Sequence, residues 1–509
     1  MMNTGSMSFF KTPLFLASLL LFASPLHAEL SKDPIKEFPS RVKKITLKNG
    51  LRVLLVERPA SPTVSFAFFI RTGALDDGGG KSGLAHMFEH MLFKGTKTIG
   101  TKDFAKESLV LKEIDAAAAA LQREQDKGAK ADVAELKRLQ ASVNEKEQED
   151  QALIVPEEYW QIYERAGAQD FNAATGYDFT TYTISLPSNQ VKLWMAMESD
   201  RMKNPVLREF YKERDVVMEE RRLRIDNSPQ GKLSEAFLAA AFMVSPYRRP
   251  IVGWESEISR VTRSDAEEFF KTHYDVSRLV VGIAGGFRSD EMEGMLKEAF
   301  GAISSHPEGT APFVSQEPAQ DGERRVDVDY DAEPQLLVGY HRPGMLHPDS
   351  VALDVISELL GSGRTSRFNR NIIEKKKIAV SAWAGSSYPG ERDPNLFALG
   401  GEPRSPHTTA DLEKALYAEL EELKKNGPSA FELSKVKTNL EASVIRALSS
   451  NLGLASQLAY YEAVGGDWAL LLKNLEQIRA VTAEDVKRVA GIYLTPSNRT
   501  VATLKKVIK

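Results

Sequence analysis

The 509-residue sequence contains no cysteine. That absence removes disulfides, thiolate zinc sites, iron–sulfur clusters and cysteine nucleophiles from consideration. Net charge is also small, at −4. No general electropositive field exists, so nucleic acid is not an expected partner. Long apolar runs are scarce. One near the start, Leu14 to Ala23, is too short to span a bilayer, and no later segment is long and apolar enough. Chemistry is left to carboxylates, hydroxyls, lysine and eight histidines. The length is enough for two or three ordinary domains with their own cores.

The early apolar run follows Lys11 and leads through Ser24-Pro25-Leu26-His27 to a small-residue exit at Ala28. This is the pattern of a secretory signal over residues 1–28. Removing those 28 residues leaves 481 at net charge −5, because Lys11 is the only charge lost. With no cysteine at the exit, a lipoprotein is excluded. The expected product is exported, periplasmic or secreted, with no membrane span left after signal removal. A cysteine-free chain suits an oxidising compartment.

Ile45 to Leu47 and Leu51 to Val56 flank Asn49-Gly50, a hairpin signal in which both turn residues accept positive φ. Val64 to Ile70 reads as a strand that leads into Asp76-Asp77-Gly78-Gly79-Gly80-Lys81-Ser82-Gly83. This cluster fails as a phosphate loop: Leu75 stands where that pattern needs glycine, and the two aspartates would repel phosphate. From Leu84 the pattern turns helical, with Ser82 placed to cap it. Residues 103–150 are rich in Ala, Glu, Lys, Gln and Leu and are broken at Lys127-Gly128. They predict an inserted antiparallel helical hairpin, read as a solvated spacer.

Strand character returns from Asp170 to Leu186, and helices are expected over Gln190 to Met202 and from Leu207 to about Arg224. The Pro-, Gly- and charge-rich stretch 304–323 reads as a linker. Val261-Thr262-Arg263-Ser264-Asp265 and Val481-Thr482-Ala483-Glu484-Asp485 each open a helix that precedes a strand. Each threonine can cap its helix, with an acid three residues on. The same order on both sides of the linker predicts an α+β fold of two duplicated halves, residues 29–303 and 324–509.

The helix from Leu84 carries His86-Met87-Phe88-Glu89-His90. Residues i and i+4 lie one above the other on a helix, so His86 and His90 can aim two imidazoles at one ion. Glu89 shares that face. Without cysteine, a zinc site of this kind needs a carboxylate ligand and keeps one position open for water. The helix from Leu207 offers Glu209, Glu213, Asp215, Glu219 and Glu220. Glu213 and Glu220, seven apart, share a face, but spacing does not choose among the five.

The His-x-x-Glu-His pattern resembles the inverted zinc motif of the pitrilysin and insulin-degrading enzyme family, whose smaller branch includes the mitochondrial processing peptidase. Lys81 to Thr96 and Glu213 to Glu220 are similar to that branch's two motifs. The resemblance implies two α/β-roll domains, each an antiparallel-rich sheet flanked by helices. It implies one zinc ion held by His86, His90 and Glu220, with Glu213 supporting the site and Glu89 as general base. It also implies a peptide substrate bound as an added strand along Phe171 to Thr175, with Asn172 and Ala173 contacting it.

Two departures stand out. The stretch between His90 and Glu220 is long for the family by about the size of the hairpin. The C-terminal half of family members supplies an Arg and a Tyr, seven apart, that hold the substrate carbonyl; Ile373 and Val380 occupy those places. Losing such donors costs roughly 10²–10³ in rate. The expectation is a zinc metalloendopeptidase of unfolded peptides, working with a homologous subunit that carries the Arg/Tyr pair. The competing reading is a non-catalytic assembly subunit of the same fold. Retention of His86, Glu89, His90 and Glu220 together argues against it.

Overall fold

A computed structural model describes residues 37–305 and 316–507. The expected secretory signal and residues 306–315 of the expected linker lie outside the described residues. Eleven described strands form two sheets. They are β1 (Lys43–Thr46), β2 (Arg52–Glu57), β3 (Thr63–Ile70), β4 (Gln169–Thr175), β5 (Thr180–Pro187), β6 (Leu279–Gly285), β7 (Arg324–Tyr330), β8 (Gln335–Arg342), β9 (Ala379–Tyr388), β10 (Asn395–Pro403) and β11 (Arg499–Lys506). The helices that shape the site and join the halves are α1 (Leu84–Met91), α2 (Phe104–Gln125), α3 (Val133–Gln151), α4 (Phe210–Arg221), α5 (Pro229–Ala241), α6 (Arg263–His273), α7 (Asn451–Val464) and α8 (Ala483–Tyr493).

The strand orders are β1-β2-β6-β3-β5-β4 and β7-β11-β8-β10-β9. Apart from β1, the two sheets share one topology. β2 runs parallel to β6, and β7 runs parallel to β11. The remaining pairings are antiparallel in both. The duplication read from two short motifs therefore extends to the whole strand plan. Both motifs build the same cap: Thr262 and Asp265 exchange hydrogen bonds at the start of α6, as do Thr482 and Asp485 at the start of α8.

Strand composition follows position. The central strand β6, Leu-Val-Val-Gly-Ile-Ala-Gly, is buried at every residue because helices cover both its faces. Edge strand β4, Gln-Asp-Phe-Asn-Ala-Ala-Thr, alternates exposed and half-buried residues. The halves also exchange helices. α7 of the C-terminal half packs on β6, β3 and β2, and α5 of the N-terminal half packs on β11, β7 and β8. The described residues from Arg41 onward accordingly form one compact unit.

Three sequence expectations change in detail. Asn49 does not adopt positive φ; only Gly50 does, at +90°. Asn49 instead works through its side chain, whose Nδ2 donates to the Phe300 and Ile303 carbonyls while its Oδ1 accepts from Leu51 N–H. Ser82 does not cap α1; its hydroxyl accepts from Trp254 N–H at 2.9 Å. The helical hairpin forms as expected, α2 against α3, but its base is no mere spacer. Leu111 and Ile114 enter the core of the N-terminal half, and Glu107 forms an ion pair with Arg208, their side chains 0% and 1% exposed. Breaking a pair buried this deeply typically costs about 3–5 kcal/mol.

α7 can approach β6 because Gly282 has no side chain: a Cβ there would lie 2.0 Å from the Ala455 carbonyl oxygen. The Ala455 carbonyl belongs to packed backbone, so the clash has no flexible side chain to relieve it. Gly282→Ala should lower stability by about 1–3 kcal/mol, read as a lower urea midpoint. An unchanged midpoint would mean that α7 does not seat on β6 at this distance.

Candidate metal centre

α1 owes its position to anchors at its start and along one side. Asp77 is buried, and its carboxylate accepts from Gly83 N–H at 2.7 Å and Ala85 N–H at 2.9 Å, doing the capping work expected of Ser82. Gly83 sits at φ +90°, where a Cβ would lie 2.6 Å from the Val252 carbonyl oxygen. On the core side, Phe88 packs against Phe270 and Tyr274, with ring centroids at 5.3 and 4.5 Å. The apolar residues of the helix thus fix its rotation, and the polar face of His86, Glu89 and His90 is turned toward α4.

The five carboxylates take different places in the fold. Asp215 and Glu219 are exposed. Glu209, at the start of α4, bonds to Lys94, Lys212 and Gln151. Glu213 and Glu220 face α1. Glu220 lies 3.6 Å from His86 Nε2 and 3.4 Å from His90 Nε2. One donor atom from each of His86, His90 and Glu220 falls within 4.8 Å of the other two, the one such metal-competent cluster among the described residues. Two imidazole nitrogens and one carboxylate are a donor set suited to zinc. Beyond Glu220 the helix widens into a π-turn, Arg222–Asp226, and Arg224 reaches back to Glu220 at 2.7 Å.

Glu213 contacts the other nitrogen of the same ring: its Oε1 lies 2.8 Å from His90 Nδ1. A carboxylate there favours a proton on Nδ1 and leaves Nε2 facing the donor cluster. Lys94 Nζ holds the second Glu213 oxygen at 2.6 Å. Burial alone would lower the His90 pKa, but Glu213 and Glu220 outweigh it and raise it to about 9. Burial would raise Glu213, but His90 and Lys94 hold it down at about 2. His86 is more deeply buried, and desolvation pulls it down to about 4. Burial also raises Glu89 above the usual carboxylate range, against a 2.5 Å hydrogen bond from the Thr175 hydroxyl.

The open edge of β4 runs beside this cluster. Asn172 and Ala173 pair inward with Thr183 and Tyr182 of β5, and no described strand pairs on their other side. A cavity of about 800 Å³ holds His86, Glu89, Glu220 and Asn172 on one wall and receives Tyr388 and Pro389 from the C-terminal half. An adjoining cavity of about 790 Å³ shares Glu89, His90, Asn172 and Ala173 and is lined by Phe93 and Trp160. Ile373 lies in the helical segment Phe368–Lys375, and Val380 is the second residue of edge strand β9 and 53% exposed. Neither side chain can donate a hydrogen bond.

Residues not singled out from sequence are Thr175, Lys94, Asp77 and Arg224. Lys94 stood four positions after His90, one helical turn on, where a cation could be expected beside a supporting acid. Thr175 acts through a tertiary contact that no local spacing announces, and Asp77 reaches α1 across the glycine-rich loop that separates them.

A sequence model described as insulinase (peptidase family M16) matches residues 52–125 and 155–254, and one described as the peptidase M16 inactive domain matches residues 260–440. The chain is 28% identical over 503 residues to a protein named zinc protease PqqE from Helicobacter pylori, covering 97% of this chain and 98% of that one. It is 24% identical to a probable mitochondrial-processing peptidase subunit beta from Arabidopsis thaliana over 490 residues, 93% of this chain and 80% of that one. Among solved structures, a protease from Helicobacter pylori superposes with TM-score 0.76 at 28% identity, covering 91% and 99% of the two chains. The periplasmic protease PqqL from Escherichia coli superposes with TM-score 0.67 at 18% identity, a likeness of fold, over 92% of this chain but 48% of that one.

The raised His90 pKa has a consequence in zinc-free protein. Its contribution to stability is fully present below about 6.5, the ordinary value, and is lost as pH rises through about 9. Glu213→Gln should move the His90 midpoint, followed by NMR of the imidazole protons, toward the ordinary value. It should also flatten the loss of thermal stability between those pH values. An unmoved midpoint would show that Glu213 does not hold this ring.

Proposed function

The chain belongs to the insulinase family of M16 peptidases, and on that premise we propose that it is a zinc-dependent endopeptidase of unfolded peptides. The observation that carries this reading is the convergence of His86, His90 and Glu220 within 4.8 Å beside Glu89 and an unpaired strand edge. When bound there, zinc supplies Lewis acidity that polarises a carbonyl group and acidifies water.

The protein's own groups do the rest. An extended peptide adds to β4 through backbone hydrogen bonds at Asn172 and Ala173, which requires the substrate to be locally unfolded. Thr175 holds one oxygen of Glu89 and leaves the other to take a proton from water. Burial makes this carboxylate a stronger base than an exposed one, and once protonated it can return the proton to the departing amine. Glu213 and Lys94 orient His90 throughout. The walls made by Phe93 and Trp160 favour a large apolar side chain on one side of the scissile bond.

Ile373 and Val380 leave no Arg/Tyr pair to stabilise charge on the substrate carbonyl. We assign that task to a homologous subunit, which closes a chamber over β4. The half-length match to PqqL agrees with a working unit of two such chains. On the signal-like pattern of residues 1–28, we assign the protein to the periplasm or the cell exterior. No described helix is long and apolar enough to cross a membrane.

One experiment tests the proposal. Wild type and Glu89→Gln are purified, analysed for zinc, and assayed on a quenched peptide with and without a homologue bearing the Arg/Tyr pair. Wild type should carry one zinc per chain and cleave slowly alone, gaining roughly 10²–10³ in rate with the partner. Glu89→Gln should keep its zinc and cleave in neither case. Undiminished turnover by Glu89→Gln would remove its role as base. Full activity of the wild-type chain alone would remove the need for a partner. A zinc-loaded pair with no cleavage would favour the assembly-subunit reading.

A further inference from the structure

The helical hairpin and α4 enclose a cavity of about 350 Å³ apart from the metal centre. Leu111 and Ile114 of α2 and Phe210 of α4 give it an apolar wall, while Glu147 and Asp150 of α3 bring carboxylates to it. Asp150 is only 2% exposed, and its Oδ1 has no hydrogen-bond partner among the described residues. A buried acceptor left unsatisfied is costly and calls for a donor. Burial and the nearby Glu107 charge push this carboxyl up to about 7. Burial also raises Glu147, with the charge of Asp215 adding to it.

The basic side chains around the cavity are engaged elsewhere. Arg208 is paired with Glu107, Arg263 with Asp115 and Glu267, and Lys212 with Glu209. A single metal ion is not the missing partner, because among the described residues only His86, His90 and Glu220 converge closely enough to share one. The volume and the apolar wall suit an extended ligand instead. Glu147 and Asp150 belong to residues 126–154, which fall between the two stretches matched to the insulinase model.

We propose that this cavity binds an aliphatic organic cation, an alkylguanidinium or alkylammonium group whose stem lies on Leu111 and Ile114 and whose head bonds to Asp150. The head donates N–H groups to the Asp150 carboxylate, which turns its buried Oδ1 toward the cavity, and keeps it ionised, while Glu147 adds a second carboxylate to the lining. Such a group comes either as a small free cation or as the arginine or lysine side chain of a peptide.

The test is calorimetric titration of the full chain with agmatine and, separately, with a blocked Ala-Arg-Ala peptide. At least one probe should bind at one site per chain. Asp150→Asn should weaken that binding by about tenfold or more, and Glu147→Gln should weaken it less. Agmatine binding without the peptide identifies a small free cation as the ligand class, and binding of the peptide identifies a side chain. Asp150→Asn keeps the shape of the side chain; if it fails to fold, the Glu147→Gln titration and competition by rising salt decide. The proposal is overturned if neither probe binds wild type, or if the folded variants bind as tightly as wild type.

Discussion

Two carboxylates of one helix take hold of a single imidazole from another. Glu213 meets His90 Nδ1 and Glu220 meets His90 Nε2, and this grip ties α1 to α4 across the centre of the N-terminal half. The donor cluster needs both helices at once, because α1 contributes two nitrogens and α4 the oxygen. Much of the surrounding structure serves that relation. Asp77 and Gly83 fix where α1 begins, Phe88 fixes its rotation, and Lys94 pins Glu213. Arg208, just ahead of α4, is buried against Glu107 of the hairpin. The hairpin thereby braces the helix that supplies the third donor.

The absence of cysteine shapes the chemistry of this centre. A donor set of histidine and carboxylate titrates within the ordinary pH range, so its readiness for a metal depends on how neighbours divide the charge. Here the division is uneven. His86, desolvated, is held neutral, while His90, between two acids, holds its proton to about 9.

Much of this was readable in the residues themselves. His86, Glu89 and His90 lie on one face because helical periodicity demands it. The Thr-x-x-Asp starts of α6 and α8 were visible as caps, and with them the duplication of the halves. Glu220 was not separable from four neighbouring acids by spacing, since which face of α4 turns inward is decided by Phe210, Tyr211 and Val217 packing in the core. The exchange of α5 and α7 between the sheets was hidden for a similar reason. The sequence of neither helix says which sheet it covers, and only the packing of the folded chain shows the crossing. The hairpin's charged surface pointed to a spacer, while its anchors, Glu107 and Leu111, are scattered singly along α2.

The most direct test of the account is anomalous diffraction at the zinc edge from crystals of the full chain grown with zinc. A single strong peak should lie within bonding distance of His86 Nε2, His90 Nε2 and a Glu220 oxygen, with Glu213 remaining on His90 Nδ1. A peak bonded to Glu213 in place of Glu220, or no peak between α1 and α4, would contradict it.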